Sequence, residues 1–357
     1  MATVDKLKPN DPRVERKSAL INGKTYHYLL GNPPNQTGTI ILVHGWPDLS
    51  LGWRYQVPYL LNTLRLRVIV PDMLGYGRSD SPQDLSAYSL KSVCADLAAL
   101  AAEVTGSKTR QIILGGHDWG GAVVWRFALW YPHLLKAVFS LCTPFYPVRD
   151  GPYMDPETMV RRVLPNFAYQ LQLAGPDVEA NIVGRDRIRQ FLRTLYDGRA
   201  EGPGGKREPG FTTERGAIFD VIDRVGPSPI LPDGPDDLDF YVDEYMRHGT
   251  LRGPLNWYRT SKINYDEERE LVKEGVDKHK TTRVSAPSML IVASKDVALP
   301  PKMAAGMEAY FDSLVTHEVD ADHWVHWRAP EQVNVLIGEF LKPFLNDSGV
   351  GRDSPKL

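Results

Sequence analysis

The sequence predicts an α/β fold: a mostly parallel sheet with helices on both faces and a mostly helical lid inserted after a core strand. In the first half of the chain, β-prone runs alternate with helical segments of about ten to fifteen residues, which is typical of parallel sheets covered on both faces. This alternation stops after Cys142 and resumes near Ser288. The core is therefore expected to be split by an insertion.

The first elements follow from local patterns. Residues 19–21 and 25–30 are β-prone and flank Asn22-Gly23, a two-residue hairpin signal. Residues 39–43 form a continuous apolar run and predict a buried strand, and residues 49–64 predict a helix.

The core continues in the same rhythm, with Ser89 as the expected N-cap of one helix. We predict strands at residues 67–71, 111–114 and 137–141, and helices at residues 90–104 and 120–130. After the insertion we predict strands at residues 288–293 and 315–319, and helices at residues 302–311 and 330–345.

The insertion is predicted to be helical segments joined by loops. Residues 198–210 and 226–235 are rich in glycine and proline and are expected to be surface loops. The resulting division is a core domain of residues 1–142 and 287–357, with a lid domain of residues 143–286.

Composition excludes several classes of protein. The 357 residues carry 42 lysines and arginines against 44 acidic residues, a net charge of −2, which lacks the basic footprint of a nucleic-acid binder. We expect no membrane span and no secretory signal in residues 1–18. Two cysteines, Cys94 and Cys142, form neither a disulfide framework nor a metal cluster, and both are expected to be inert buried thiols. These features predict a cytoplasmic protein, with peroxisomal import through residues 355–357 as the alternative.

The most informative stretch is residues 116–121 (GHDWGG), where a predicted strand runs through a tight turn into a helix. Small residues on both sides of the turn permit a strained backbone that presents one side chain above the sheet. Asp118 stands where a serine is usual, and no Gly-x-Ser-x-Gly motif occurs in the chain. The predicted nucleophile is therefore a carboxylate. The plainer alternative is a glycine-rich turn with Asp118 as a helix cap.

An oxyanion hole is expected beside Asp118. Residues 44–47 (HGWP) directly follow a predicted strand, so the backbone N–H groups of Trp46 and Trp119 can converge. His44 and His117 are interpreted as hydrogen-bonding scaffold residues.

A histidine and a second acid complete a triad. Asp296 and His323 each follow a predicted strand, and the chain order nucleophile, acid, histidine is that of α/β hydrolases. Asp150 is the alternative acid and His326 the alternative base.

The chain resembles the α/β-hydrolase-fold epoxide hydrolases, closely those of filamentous fungi, over nearly its whole length. The resemblance rests on residues 44–48 (HGWPD), 116–121 (GHDWGG), 167–171 (FAYQL), 253–259 (GPLNWYR) and 322–324 (DHW). The strand–turn–helix segment around Asp118, here called the elbow, is by itself shared with haloalkane dehalogenases. The two tyrosine motifs make the match specific. The resemblance implies that Tyr169 and Tyr258 are the lid tyrosines that act as acid.

The chemistry supports this resemblance. A carboxylate displaces a leaving group at an sp³ carbon and forms an alkyl ester, which water activated by a neutral histidine then hydrolyses. An epoxide oxygen leaves as a basic alkoxide and needs an acid, and tyrosine stays protonated at neutral pH. Trp46, Trp119, Gln170, Trp257 and Trp324 are expected to line the substrate pocket.

The predicted function is hydrolysis of an epoxide to a vicinal diol. The expected partners are a small lipophilic epoxide and water, with no nucleic acid, no cofactor and no metal. The alternatives are a haloalkane dehalogenase on the same fold and a ligand receptor without catalytic activity.

Overall fold

One eight-stranded sheet organises the computed structural model, which describes residues 4–272 and 282–345. The described strands are β1 (Glu15–Ile21), β2 (Lys24–Gly31), β3 (Gly38–Val43), β4 (Leu66–Pro71), β5 (Ile112–His117), β6 (Leu135–Leu141), β7 (Arg199–Glu201), β8 (Arg207–Pro209), β9 (Phe211–Thr212), β10 (Gly216–Ala217), β11 (Ser288–Ala293) and β12 (Leu314–Val319).

The described α-helices join and cover these strands. They are α1 (Gln56–Asn62), α2 (Leu90–Thr105), α3 (Trp119–Trp130), α4 (Pro156–Arg162), α5 (Ala168–Ala174), α6 (Asp177–Asn181), α7 (Arg185–Leu195), α8 (Phe219–Ile222), α9 (Leu238–Tyr245), α10 (Arg252–Asn256), α11 (Ser261–Glu268), α12 (Val325–Arg328) and α13 (Pro330–Leu341).

The sheet is mostly parallel, as the sequence predicts. Its strand order is β1-β2-β4-β3-β5-β6-β11-β12, and only β1 and β2 run antiparallel to their neighbours. Ile40, Ile41, Leu42 and Val43 of β3 are fully buried because helices cover both faces of the sheet. The carboxyl ends of the parallel strands therefore meet at one edge of the sheet.

Several local predictions are confirmed. Asn22-Gly23 closes the β1–β2 hairpin, with Ile21 opposite Lys24. Helix α2 begins after Ser89, whose side chain accepts a hydrogen bond from the Ser92 N–H and so caps the helix.

Three local predictions are confirmed only in part. Residues 302–311 form two short 3-10 turns, Pro301–Ala304 and Met307–Tyr310, because Gly306 between them has a φ of +83°. Residues 49–64 divide into a 3-10 turn, Ser50–Trp53, followed by α1. Residues 198–210 are not only loop, since β7 and β8 pair there as an antiparallel ribbon.

The insertion contains helices α4–α11 and two small ribbons. Its described residues contribute no strand to the central sheet. Trp257 donates from Nε1 to the Leu74 carbonyl at 3.0 Å, so this part of the insertion packs onto a loop that follows β4. The division into core and lid domains stays a prediction.

Among the described residues, no helix has both the length and the apolar character needed to cross a membrane. The C-terminal tripeptide, residues 355–357, lies outside the described residues.

Candidate active site

The turn between β5 and α3 holds Asp118 in an unusual conformation, with φ +54° and ψ −122°. Two glycines make the turn possible. A Cβ on Gly116 would lie 2.2 Å from the Gly120 carbonyl oxygen, and a Cβ on Gly120 would lie 2.0 Å from the Val43 carbonyl oxygen. Because both neighbours are backbone atoms that cannot move aside, only glycine fits, and the Asp118 side chain stands above the sheet edge.

Backbone N–H groups hold the Asp118 carboxylate. The Trp46 N–H donates to Oδ1 at 2.7 Å, and the Trp119 N–H also bonds this carboxylate. Burial raises the pKa of Asp118 above its ordinary value, although His323 and these N–H groups oppose the shift. The two donors are those that the sequence predicts for an oxyanion hole.

Asp296 orients the histidine ring. His323 Nδ1 lies 2.7 Å from Asp296 Oδ2, while Oδ1 of the same carboxylate accepts the N–H groups of Ala298 and Leu299 at 2.9 and 2.8 Å. Burial on its own would raise the pKa of Asp296, but His323 and the two N–H groups outweigh it and lower this pKa. Asp296 is therefore a fixed anion.

His323 lies between two carboxylates, with Nε2 3.6 Å from Asp118 Oδ2. Burial lowers the pKa of this histidine, but Asp296 and Asp118 together raise it to about 9. At neutral pH His323 is therefore protonated when both carboxylates are charged.

The alternative acid and base lie elsewhere. His326 is fully buried, with Nε2 3.8 Å from Asp48 Oδ2 and its ring against Trp53. Asp150 is exposed, whereas His323 takes Asp296 as its carboxylate partner.

His44 and His117 make scaffold hydrogen bonds. His44 accepts the Met73 N–H on Nε2 at 2.9 Å, so its proton is on Nδ1, which donates to the Gly45 carbonyl at 2.8 Å. His117 donates from Nε2 to the His323 carbonyl at 2.8 Å and so ties the elbow to the loop that holds His323.

Two tyrosines from the insertion reach the same place. Tyr169 in α5 and Tyr258 in the turn Trp257–Arg259 are both buried, with ring centroids 6.4 Å apart. Burial and the nearby Asp118 carboxylate raise the pKa of both hydroxyls, so both stay protonated donors. Gln170 Nε2 donates to Tyr169 Oη at 3.4 Å.

A cavity of about 620 Å³ lies between the Asp118 carboxylate and the two tyrosines. Asp118, Tyr169 and Tyr258 line it, as do the expected pocket residues Trp119, Gln170 and Trp257. Most of its remaining wall is apolar and includes Met154, Met159, Val160, Val163, Leu164, Phe167 and Leu171. A mostly apolar cavity with a few convergent polar groups is typical of a small-molecule site.

Trp46 and Trp324 differ from the pocket prediction, because neither is among the residues that line the cavity. The Trp46 ring packs edge-on against Tyr258, with centroids 5.5 Å apart. Trp324 stacks on Tyr196 at 4.1 Å and donates from Nε1 to the Leu195 carbonyl. The Trp46 indole therefore supports the cavity wall from behind, whereas Trp324 packs against the insertion.

Residues 144–164 form much of the cavity wall, and the sequence motifs identify none of the residues there that line it. Their only signal is their position directly after a core strand, where α/β folds place ligand-binding loops.

Two overlapping groups bring possible metal-ligand atoms within 4.8 Å of one another: Asp48 with His117 and His326, and His117 with Cys142 and His323. In the second group both His323 nitrogens already face carboxylates. The chemistry described below uses no metal.

Comparisons with known proteins show which family this chain belongs to. A family model described as alpha/beta hydrolase fold matches residues 38–201. The chain is 42% identical over 352 residues to "Epoxide hydrolase srdG" of Neurospora crassa. The aligned region covers 96% of this chain and 99% of that protein. It is 30% identical over 312 residues to "Bifunctional epoxide hydrolase 2" of Mus musculus, covering 87% of this chain and 53% of that protein.

A solved structure is also similar. Epoxide Hydrolase A from Mycobacterium thermoresistibile superposes with a TM-score of 0.73 at 25% identity, over 92% of this chain and 98% of that chain.

Proposed function

The chain belongs to the epoxide hydrolases of the α/β-hydrolase fold, and we propose that Asp118 opens the epoxide ring as a nucleophile and that His323 hydrolyses the resulting ester to a vicinal diol. One observation carries the proposal: Asp118 and two protonated tyrosines line one apolar cavity, with the His323–Asp296 pair beside the carboxylate.

Ring opening uses the free oxygen of Asp118. Oδ1 is held by the Trp46 N–H, so Oδ2 is the oxygen that attacks an epoxide carbon. A new C–O ester bond forms as the ring C–O bond breaks, and the bonding electrons leave on the epoxide oxygen.

Tyr169 and Tyr258 meet that developing charge. One hydroxyl donates its proton to the epoxide oxygen and the other donates a hydrogen bond. The transfer is downhill because the conjugate acid of an alkoxide resembles water and is a weaker acid than an ordinary phenol, whose pKa is about 10.

Ester hydrolysis uses His323 as base. The ring removes one proton from water, which attacks the ester carbonyl carbon, and charge collects on Oδ1 beside the N–H groups of Trp46 and Trp119. The intermediate then expels the diol oxygen, which takes the proton from His323. Asp118 keeps the other proton of water. Transfer of this proton to the deprotonated tyrosine restores both the Asp118 carboxylate and the neutral tyrosine.

The charge on Asp118 sets the timing of His323. Both carboxylates hold its pKa at about 9 before the reaction. Esterification removes the charge of Asp118, so this pKa falls, and His323 releases its proton to solvent and is neutral at the step that needs a base. It takes a proton from solvent again once the Asp118 carboxylate is restored.

The test is turnover of two substrates. We expect styrene oxide to yield its diol and a bromoalkane to release no bromide, because the tyrosine donors suit an alkoxide leaving group. The variant Asp118→Asn, which keeps the side-chain shape, is expected to be inactive on both. Bromide release without diol formation would favour the dehalogenase alternative, for which Trp119 beside the nucleophile is the supporting feature.

A further inference from the structure

One arginine of the insertion contacts both segments that carry the proposed acids. Tyr258 lies in the short turn that ends at Arg259, and Tyr169 lies near the start of α5. Arg259 donates from Nε to the Ala174 carbonyl at 2.9 Å and from Nη2 to the Gly175 carbonyl at 3.0 Å. Both carbonyls are at the C-terminal end of α5. The side chain that follows one tyrosine therefore holds the far end of the helix that carries the other.

The contact fixes a helix end that would otherwise lack partners. The last carbonyl groups of a helix have no N–H partner within the helix, and arginine side chains can supply donors there. The guanidinium of Arg259 presents its donors in a rigid plane, so two bonds at once fix both the position and the rotation of this end. At the other end, the Tyr169 N–H donates to the Thr213 carbonyl at 2.9 Å. Helix α5 is therefore held at both ends.

Arg259 is itself held in place. Its Nη1 donates to Asn256 Oδ1 at 3.1 Å, and both Nη atoms lie 3.3 Å from Glu179 Oε2 on α6. The side chain is 18% exposed, so its charge is matched by Glu179 in a partly buried ion pair. Arg259 is not among the residues that line the cavity. Any effect on the reaction must therefore pass through the tyrosines.

We propose that Arg259 is a positioning residue that sets the separation of the Tyr169 and Tyr258 hydroxyls and so the geometry of ring opening. The proposal rests on the proposed function, because the two hydroxyls act together only on the epoxide oxygen. A shift of either ring weakens its hydrogen bond to the developing alkoxide. Ester hydrolysis uses His323 as base and does not depend on this separation. Loss of Arg259 should therefore slow the first chemical step and spare the second.

The experiment follows both steps in wild type, Arg259→Met, Arg259→Lys and Arg252→Met, with styrene oxide as the substrate. Pre-steady-state tryptophan fluorescence gives the rate of ester formation, its dependence on substrate concentration gives Kd, and decay of the ester gives the rate of hydrolysis. Arg259→Met should slow ester formation about 10- to 100-fold and leave Kd and hydrolysis within about twofold. Lysine keeps the charge beside Glu179 but lacks the planar fork. Arg259→Lys should therefore regain stability in urea without regaining the rate, and it carries the same comparison should Arg259→Met not fold.

Arg252 offers a matched control. It donates from Nε to Glu179 Oε1 at 2.8 Å and from Nη1 to Gln83 at 3.0 Å, and these bonds do not involve the carbonyls of α5. Arg252→Met therefore removes an arginine from the same carboxylate and should leave both rates unchanged. Ester formation at the wild-type rate in Arg259→Met would overturn the positioning role. Equal slowing of both steps, or the same loss in Arg252→Met, would also overturn it, because either result indicates a general loosening of the insertion.

Crystal structures of wild type and Arg259→Met provide a second readout that needs no turnover. The end of α5 should move relative to the turn that carries Tyr258, so the separation of the two tyrosine hydroxyls should change. An unchanged separation would overturn the positioning role and leave the proposed function standing. Absence of any ester in wild type would overturn the proposed function, and the measured separation would still decide whether Arg259 positions the two rings.

Discussion

At the scale of single residues, the reaction depends on which groups hold a proton at neutral pH. The tyrosine hydroxyls stay protonated because burial raises their pKa, and His323 is protonated because two carboxylates face it. The opening step therefore begins with a nucleophile, a cation beside it and two acids in place.

Replacing the tyrosines tests their role as acids. Each single change, Tyr169→Phe or Tyr258→Phe, should slow ester formation by about 10²- to 10³-fold, because one of two donors to the developing alkoxide is lost. The double variant should lose nearly all ester formation. Pre-steady-state tryptophan fluorescence measures this rate, and circular dichroism checks that the packing of the rings is retained. A folded double variant that opens epoxides at the wild-type rate would exclude the tyrosines.

The pH dependence tests the timing of His323. The base must be neutral, so ester hydrolysis should accelerate as pH rises through the pKa of His323 and then level off. In the ester, Asp118 carries no charge, so this midpoint should lie below the value of about 9 that the free protein has. Single-turnover decay of the ester across the pH range provides the measurement. A midpoint at or above 9 would mean that Asp118 does not set this pKa.

Sequence position predicts which side chains meet when strand order alone decides. Asp118, Asp296 and His323 each follow the end of a parallel strand, so topology brings them together. Sequence position fails where packing decides. Trp324 does not line the cavity and instead stacks on Tyr196 of the insertion, and no local pattern encodes that contact.

At the scale of elements, the turn between β5 and α3 tolerates little change. Gly120→Ala should destabilise the protein by on the order of 3 kcal/mol, because its Cβ meets the Val43 carbonyl oxygen at 2.0 Å. Gly151→Ala is the matched control, since a Cβ there meets nothing within 4 Å, and it should stay within about 0.5 kcal/mol. Urea unfolding measures both. Equal stability of the two variants would show that the turn relaxes more than its geometry indicates.

Two of the element predictions fail in part for different physical reasons. Apolar residues at 302–311 suggest one helix, but Gly306 adopts a left-handed φ and divides it. Glycine and proline at 198–210 suggest a loop, yet the residues on either side of the tip pair as β7 and β8. Composition predicts where the chain turns, whereas pairing across a turn depends on backbone geometry.

At the scale of the whole molecule, side chains of the insertion fasten onto the loop that follows β3. The hydroxyls of Tyr196 and Tyr241 donate to Asp48 Oδ1 at 3.2 and 2.7 Å, and Asp48 is fully buried. On another side, the salt bridge between Arg126 of α3 and Glu268 of α11 joins the elbow helix to the insertion. The alternation of strands and helices predicted the sheet, but these long-range ties depend on residues far apart in the sequence.

The covalent ester at Asp118 is tested most directly by a single turnover in water enriched in heavy oxygen, with enzyme in excess over epoxide. Hydrolysis attacks the ester carbonyl, so the label should enter the Asp118 carboxylate and be absent from the diol. Mass spectrometry of the diol and of the peptide that contains Asp118 locates the isotope. Label in the diol with an unlabelled Asp118 would mean that water opens the epoxide directly, and the ester mechanism would be wrong.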